Sequence, residues 1–240
     1  MTAREMFAIV QQQLAIDLNC SAEDFNSEQD SFVFVEAADN PGRRPYRRGA
    51  QVFEMLTMGG AVVVSATPAR LAYAKEQLAG KTRDEAFAMP FIRGIAISCL
   101  PDLGRIGDIA PPRGFSYETY GPDKIPALLE LPGFSYALQH DDALAMAAIH
   151  GGTVAAIAGA GPQSAKLWGI GIDVLPAYRR QGLAAYLVNA MTLELLRREF
   201  VPIYNYDASN ISSQNVAHRA GFRPAWMYNR RDCFEGELAN

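Results

Sequence analysis

The segment from Arg179 to Ala184 constrains the fold of this chain more than any other part of its sequence. It consists of Arg-Arg-Gln-Gly-Leu-Ala and follows an apolar stretch that ends at Val174. Apolar residues then recur at helical spacing as far as Leu195. A strand that leads into a helix leaves the first N–H groups of the helix without intrahelical partners, at the positive end of its dipole. The sequence therefore predicts a phosphate-binding cradle, in which Gly182 lets a ligand approach the backbone.

Strands and helices alternate around this cradle. From residue 115 onward the pattern predicts a strand, a helix, three strands, a helix, a strand, a helix and a strand. The predicted elements cover 115–119, 124–138, 143–149, 154–160, 167–174, 183–195, 203–207 and 211–220, with a last strand after them. Gly151-Gly152 predicts a hairpin turn, and Gly161-Pro162 predicts the next reversal. The three consecutive strands indicate an antiparallel meander.

The first part of the chain predicts a second, smaller α/β lobe. Thr2 to Asn19 predicts an amphipathic helix whose apolar face carries Phe7, Val10, Leu14 and Leu18. A strand at 32–36, a hairpin around Gly59-Gly60 and a helix between Thr67 and Gly80 follow. Residues 100–114 are rich in Pro and Gly and predict a linker. We therefore expect two domains, at 1–112 and 113–240.

The composition excludes several classes of function. Lys and Arg number 22 against 26 Asp and Glu, so no basic field exists to hold nucleic acid or an anionic membrane. The basic run at 43–48 lies among turn residues, and the sequence predicts that Arg43-Arg44 and Arg47-Arg48 are solvated.

Gly169 and Gly171 lack the third glycine of a dinucleotide fingerprint. No signal peptide or apolar run of about 18 residues is present, so we expect a cytoplasmic protein.

The three cysteines suggest neither a disulfide framework nor a metal centre. Cys20, Cys99 and Cys233 are widely spaced and lack any Cys-x-x-Cys or nearby histidine pattern. We therefore expect no metal cofactor.

Residues Val174 to Ala184 resemble the acetyl-CoA motif of the GNAT acetyltransferase superfamily. The family pattern is Arg/Gln-x-x-Gly-x-Gly/Ala after Val-x-Pro-x-Tyr, and the chain has Val-Leu-Pro-Ala-Tyr-Arg-Arg-Gln-Gly-Leu-Ala. A second family signature, Asn-x-x-Ser/Ala leading to Gly-Phe, resembles the stretch from Asn210-Ile211-Ser212-Ser213 to Gly221-Phe222. The resemblance covers residues 115–230 and implies an α/β (α+β) fold with a mixed, mostly antiparallel sheet flanked by helices. The N-terminal half, around Ala15–Cys20, is similar to uncharacterised bacterial GNAT proteins that carry an extra N-terminal lobe.

The resemblance also implies how acetyl-CoA is bound. Main-chain groups near Val174 would pair with the pantetheine arm, and Asn210 and Ser213 would line its other side. The cofactor's pyrophosphate would lie on the cradle formed by Arg179, Arg180, Gln181, Gly182, Leu183 and Ala184. Taken singly, Gly182 is also typical of a plain helix start and Asn210 of a plain N-cap.

The proton donor and the base that the family often uses are both missing. Alignment on Gly221-Phe222 puts Ala217 at the position of the family's tyrosine donor. Trp168 stands in the strand region where some relatives have a glutamate base.

Three other side chains are candidates for these roles. Tyr204 and Tyr206 are candidate donors, although half-buried strand aromatics give the same pattern. Asp173 is a candidate base, or an anchor for the loop at Tyr178-Arg179. The sequence assigns Cys20 and Cys99 to the other lobe, so a covalent acyl-enzyme is not expected.

These patterns predict an acetyl-CoA-dependent N-acetyltransferase that acts by direct attack of a primary amine. The acceptor is a small molecule or a peptide, and nucleic acid and membranes are not expected partners. The alternative is a noncatalytic acyl-CoA-binding or sensing module, favoured by Ala217 and Trp168. A third interpretation is a structural dimerisation protein. The polar tail after Tyr228 is too short for a full final strand, so the N-terminal lobe or the partner in a homodimer would complete the sheet edge.

Overall fold

The computed structural model describes residues 1–44 and 52–232, and its contacts divide them into two units. The C-terminal unit contains residues 99–205 and 210–223, together with residues 1–3. The N-terminal unit contains the described residues of 4–98, residues 206–209 and the described residues from 224 onward. Each unit thus draws on separated stretches of chain. The two domains predicted at 1–112 and 113–240 stay a prediction.

The N-terminal unit contains a small mixed sheet and three helices. Its elements are α1 (Ala3–Leu18), β1 (Phe32–Glu36), β2 (Phe53–Thr57), β3 (Val62–Ala66), α2 (Pro68–Leu78), α3 (Arg83–Phe87) and most of β4 (Ile92–Pro101). Strand β3 pairs parallel with β1 and antiparallel with β2. The predicted hairpin is confirmed, because Gly59 adopts a left-handed φ of 106° between β2 and β3.

Burial explains why these sequences form these elements. Every residue of β2 and β3 is buried, and an edge-to-face pair of Phe53 and Phe91 lies in the same core. On α1 the buried positions include Met6, Val10 and Leu14, at helical spacing. Phe7 was predicted on this face, but it is only half-buried, and Met6 takes the core position instead.

The C-terminal unit is built around a five-stranded arrangement in the order β5-β6-β7-β8-β9. Its elements are β5 (Ser116–Tyr120), α4 (Ile125–Leu129), β6 (Leu144–His150), β7 (Thr153–Pro162), β8 (Leu167–Val174), α5 (Leu183–Arg197), β9 (Val201–Asp207), α6 (Ile211–Arg219) and the start of β10 (Phe222–Asp232). Strands β5 to β8 form an antiparallel meander, and β8 pairs parallel with β9. Helix α5 lies against β6, β7 and β8. The predicted mixed, mostly antiparallel sheet flanked by helices is confirmed.

Several boundaries differ from the sequence prediction. Helical segments are predicted over 124–138 with a break at Pro132-Gly133, whereas the structure has an α-helix only at 125–129. The reversal predicted at Gly161-Pro162 follows Pro162, which still belongs to β7. Strand β4 was not predicted at all. Its last residues, Cys99–Pro101, belong to the C-terminal unit. Beside them Asp102 N–H donates to Gly221 O at 2.8 Å.

The end of the chain also departs from the prediction of a polar tail. Asn229 is fully buried in β10, and its Oδ1 accepts a hydrogen bond from Met55 N–H at 2.7 Å. Met227 and Tyr228 pair antiparallel with β2. A polar residue was mistaken for a surface residue because its buried partner is distant in sequence. Cys233, which follows Tyr228 in the sequence, lies outside the described residues.

The predicted solvated arginine loop is wrong for Arg43 and Arg44, which are 6% and 5% exposed. The guanidinium of Arg43 lies 3.3 Å from Glu54, and that of Arg44 forms an ion pair with Asp17. Charges are buried in proteins when counter-charges and hydrogen bonds replace the lost water. Asp17 supplies both, because Arg44 N–H donates to its carboxylate and Arg43 Nε donates to its carbonyl. Arg47-Arg48 lie outside the described residues.

Candidate functional site

A cleft opens in the C-terminal unit where β8 and β9 part. Their parallel register covers Leu167 to Gly169 on β8 and Val201 to Ile203 on β9, while β8 continues to Val174. The cleft has a volume of about 650 Å³. Its lining comes from β8, the turn after it, the start of α5, β9 and α6, and includes Tyr136, Ile172, Asp173, Val174, Tyr178, Arg179, Arg180, Gly182, Leu183, Ala184, Ala185, Tyr204, Asn210, Ser212, Ser213, Asn215, Val216 and Arg219. A strand edge inside a cleft suits an extended ligand that carries amide groups.

Nearly all of the predicted cofactor residues line this cleft together. They are Val174, Arg179, Arg180, Gly182, Leu183, Ala184, Asn210 and Ser213. Gln181 is not among the lining residues. Sequence spacing thus located two separate segments that the fold brings to one cavity.

Helix α5 begins at one wall of the cleft. Its N-cap Gly182 has a φ of 86°, and Arg180 has a φ of 64°, which is uncommon for a residue with a side chain. Left-handed residues within a turn aim backbone N–H groups toward a common point, which favours an anion. The guanidinium of Arg179 donates from Nε to Val174 O at 3.1 Å, so it is held at the end of β8.

The charge of the lining residues is positive on balance. Arg179, Arg180 and Arg219 contribute cations, and Asp173 contributes a carboxylate. Such a cleft attracts an anionic ligand although the whole chain has a net charge of −4. Among residues 1–44 and 52–232, no group of three ligating side chains could hold a metal ion. In the same residues, no helix is both long and apolar enough to cross a bilayer.

A pair of hydroxyl groups lies on the opposite wall. Tyr204 Oη and Ser213 Oγ are 2.8 Å apart, and both side chains line the cleft. Asn210 caps α6, because its Oδ1 accepts from Ser213 N–H at 3.0 Å. Burial raises the pKa of Tyr204, which is 3% exposed, although the hydrogen bond with Ser213 opposes this effect. The phenol therefore stays protonated at neutral pH and can donate a proton.

Cys99 and Asp173 raise the pKa of Tyr204 further through their charges. Cys99 was predicted to lie in the other lobe. The structure contradicts this, because Cys99 is buried in the C-terminal unit, close enough to Tyr204 for this interaction. Strand β4 carries it there. The error follows from the missed strand.

The other predicted catalytic residues occupy different environments. Tyr206 is buried and is not among the residues that line the cleft. Trp168, at the position of the missing base, stacks on Phe200 with ring centroids 4.5 Å apart. Ala217, at the position of the missing donor, is buried and does not line the cleft.

Asp173 anchors a loop against the sheet. Its Oδ2 accepts hydrogen bonds from Tyr136 N–H at 2.8 Å and from Ala137 N–H at 2.9 Å. The sequence offered an anchor at Tyr178-Arg179 as one interpretation of Asp173, whereas the anchored residues lie after α4. No described residue donates a hydrogen bond to its other oxygen, Oδ1.

Four glycines form a flat area on β7 and β8 that the sequence patterns did not predict. Gly159 pairs with Gly171 and Gly161 pairs with Gly169 across the two strands. A Cβ on Gly171 would lie 2.8 Å from Ala137 O and would also meet Tyr136 O, and a Cβ on Gly161 would lie 2.5 Å from the Asp142 carboxylate. The loop thus lies directly on backbone. The signal in the sequence was glycine at alternate positions of two neighbouring apolar strands.

One family model matches the C-terminal part of the chain. Residues 138–230 match the model described as GNAT acetyltransferase. No curated protein matches the chain significantly.

Many solved structures are similar to the chain. Among them are a protein assigned to the GNAT acetyltransferase family from Novosphingobium aromaticivorans (22% identity, 58% of this chain and 66% of that one, TM-score 0.44), a GCN5-related N-acetyltransferase-like protein from Streptococcus suis (18%, 70% and 70%, 0.44) and a GNAT-family acetyltransferase from Colwellia psychrerythraea (12%, 63% and 61%, 0.48). The chain spans less than two thirds of the Novosphingobium and Colwellia proteins.

Proposed function

We propose, from the premise that this chain carries a GNAT acetyltransferase domain, that it transfers an acetyl group from acetyl-CoA to a primary amine. One observation carries the proposal. The strand edge left open between β8 and β9 and the N-terminal amides of α5 lie in the same cleft. Acetyl-CoA has the matching chemistry, because its pantetheine arm has two amide groups and its pyrophosphate is an anion.

Each part of the donor has a matching wall. The pantetheine amides pair with main-chain groups of β8 near Val174, where the register with β9 has ended. The pyrophosphate binds the amides from Arg180 to Ala184, with charge-assisted hydrogen bonds from the arginine side chains. Gln181 takes part through its main chain. Asn210 and Ser213 lie along the other side of the arm.

The chemical step is a direct acyl transfer. The amine nitrogen attacks the carbonyl carbon of the thioester, the C–S bond breaks, and the departing sulfur takes a proton from Tyr204 Oη. Ser213 Oγ, 2.8 Å away, donates a hydrogen bond to the phenolate that is left, and solvent then returns the proton to Tyr204. Tyr204 fits this role better than Tyr206, because the lining of the cleft includes Tyr204 and does not include Tyr206.

The amine must lose a proton before it attacks, since a free alkylamine has a pKa of about 10.4. We assign this proton to Asp173, whose Oδ2 anchors the loop and whose Oδ1 is left for the amine among the described contacts. Holding the two reactants together supplies a further part of the rate enhancement.

Release of CoA with an amine acceptor tests the proposal. We expect acetyl-CoA binding by calorimetry, and amine-dependent CoA release in a panel with spermidine, an aminoglycoside, phenethylamine and a lysine peptide. Tyr204→Phe is expected to lower kcat by about a hundredfold while the Kd for acetyl-CoA changes little. Phe is the matched control for the ring, because it keeps the packing and removes only the hydroxyl.

A noncatalytic acyl-CoA-binding module is the second candidate. Ala217 and Trp168 favour it, because neither the family's usual donor nor its usual base is present. Tight acetyl-CoA binding without CoA release from any amine of the panel would support this candidate and remove the enzyme. Loss of binding in Gly182→Trp then shows that the same cleft holds the ligand.

A further inference from the structure

The side chain of Tyr136 is large and exposed, whereas its backbone is held in place by the sheet. The residue is 82% exposed and lines the cleft. Its N–H and that of Ala137 both donate to Asp173 Oδ2, and the two carbonyls lie over Gly171. An exposed ring contributes little to the stability of the fold. The backbone that carries this ring is nevertheless fixed by two hydrogen bonds to Asp173 and by its close approach to Gly171.

The neighbours of Tyr136 hold the loop from both sides. Phe134, Ala137 and Leu138 are buried in one apolar cluster with residues of α4, β6 and β7. Gln139 N–H donates to the Asp142 carboxylate at 2.9 Å. Between these anchors, the ring of Tyr136 is exposed. A ligand that contacts it therefore does not have to order the loop first, which favours binding.

A second exposed apolar side chain belongs to a segment that contributes to the cleft. Ile211, at the start of α6, is 60% exposed, and its neighbours Asn210 and Ser212 line the cavity. Two of the four large apolar side chains exposed among the described residues, Tyr136 and Ile211, thus belong to segments that form this cleft. Of these two residues, Tyr136 lines the cavity itself, and an exposed apolar side chain in the lining of a cleft favours a ligand with an apolar body.

Charge decides which reactant contacts Tyr136. Arg179 and Arg180 lie at the α5 end and suit the phosphates of the donor, whereas Asp173 lies directly beneath the 134–138 loop. The carboxylate repels phosphate and attracts an ammonium group. The exposed ring therefore belongs to the side from which the amine approaches.

We propose that Tyr136 determines acceptor specificity and selects primary amines that carry an aromatic body. The inference rests on the proposed acetyl transfer and names its substrate class. The ring of Tyr136 stacks on the aromatic part of the acceptor, while Asp173 meets its amino group. Aromatic pairs of this kind add to the burial of apolar area.

The test compares phenethylamine with butylamine as acceptors, because both are primary alkylamines and only one has a ring. In the native protein we expect kcat/KM to be about tenfold higher for phenethylamine. Tyr136→Ala is expected to bring the ratio to about one, chiefly through a higher KM for phenethylamine, with the acetyl-CoA Kd within about twofold. Tyr136→Phe keeps the ring and should keep the preference. Ile16→Ala, which removes an exposed apolar side chain of the N-terminal unit, is the control.

The outcomes separate the specificity role of Tyr136 from the proposed acetyl transfer. If both amines release CoA with equal kcat/KM, or if Tyr136→Ala leaves the preference unchanged, the specificity role is wrong and acetyl transfer stands. If neither amine releases CoA while acetyl-CoA binds, and the wider panel is also inactive, the transfer function fails and the specificity role fails with it. If only other amines of the panel are acetylated, the aromatic class is wrong.

Discussion

The two units of this protein use arginine in opposite ways. In the N-terminal unit, Arg43 and Arg44 are buried and their guanidinium groups form ion pairs with Glu54 and Asp17. In the C-terminal unit, Arg180 is exposed at the edge of a cleft and faces the open end of a helix. Adjacent arginines therefore indicate neither a solvated loop nor a binding site by themselves. Their environment decides.

The physical difference is what replaces water around the charge. At Asp17, Gln13 and the Arg44 backbone N–H both donate to the carboxylate, and its ion pair with Arg44 is also buried. Such a cluster stabilises one arrangement because removal of Asp17 or Arg44 breaks a buried ion pair. In the cleft, water satisfies the guanidinium until an anion displaces it, so the charge is available for binding at little cost to the fold.

Asp17→Asn gives the largest expected effect and tests the buried half of the comparison. The substitution breaks the buried ion pair between Asp17 and Arg44, and we expect the free energy of unfolding to fall by about 3–5 kcal/mol. Denaturant titration measures it. Arg197→Gln, which removes an exposed partner of Glu194, is the control and should leave the unfolding free energy nearly unchanged. An equal effect of the two substitutions would contradict the distinction between buried and exposed pairs.

Gly60→Ala and Gly171→Ala extend the comparison of the two units from charge to packing. In each unit, a backbone carbonyl lies so close to a glycine that a Cβ would collide with it. A Cβ at Gly60 would lie 2.7 Å from Ser27 O, and one at Gly171 would lie 2.8 Å from Ala137 O. We expect each change to lower the free energy of unfolding by about 1–3 kcal/mol, because backbone cannot move aside as a side chain can. Only Gly171→Ala should also raise the KM for the amine, since it displaces Tyr136. A raised amine KM in Gly60→Ala would break the assignment of the acceptor site to the C-terminal unit.

Arg180→Ala tests the exposed arginine of the comparison. Loss of one charge-assisted hydrogen bond is expected to weaken acetyl-CoA binding by about tenfold, measured by calorimetry. The difference should shrink as salt is raised, because the site is open to solvent. Stability should change little, since the Arg180 side chain is exposed and alanine keeps a Cβ at the same φ of 64°. A loss of stability with unchanged affinity would show that Arg180 has a structural role like that of Arg44.

Asp142→Asn gives the smallest expected effect. It concerns a carboxylate that is neither as buried as Asp17 nor as exposed as Arg180. Burial, together with a smaller contribution from the charge of Asp141, raises the pKa of Asp142 from 3.8 to about 6, although the hydrogen bond from Gln139 N–H opposes this rise. Between these two pKa values the folded protein binds more protons than the unfolded chain, so this group lowers stability as pH rises from about 4 to 6. Asn cannot ionise and keeps an oxygen for Gln139.

We therefore expect Asp142→Asn to gain on the order of 1 kcal/mol relative to the native protein at pH 8, and little at pH 4. Thermal unfolding at both pH values measures the difference. The opposite sign, a variant less stable at pH 8 than at pH 4 relative to the native protein, would mean that the ionised carboxylate holds the loop more strongly than burial disfavours it.

Local patterns were sufficient for most of the C-terminal unit. The predicted limits of β8 agree with the structure, Asn210 caps α6 and Gly221 ends it with a φ of 92°. These features depend on residues within a few positions of one another, which is the range over which capping and periodicity act. The sequence also indicated both walls of the cleft, because its two signatures are short and each is continuous.

Features that depend on distant partners were missed or misjudged. Burial of Arg43 and Arg44 depends on Asp17 and Glu54, which lie on other elements. The position of Cys99 near Tyr204 depends on β4, a strand that the sequence patterns did not predict. Asn229 was taken for a tail residue because its partner, the N–H of Met55, is 174 positions away.

By itself, the sequence determined the order of strands and helices around Arg179 to Ala184, the cradle and the family resemblance, since each rests on local backbone preferences. Only the tertiary structure decided that β8 and β9 part beside that cradle, that Tyr204 and Ser213 face each other across 2.8 Å, and that Gly159 and Gly171 carry the loop of Tyr136. The physical reason is that burial, ion pairing and close backbone approach are set by neighbours in space. A single sequence does not contain those distances.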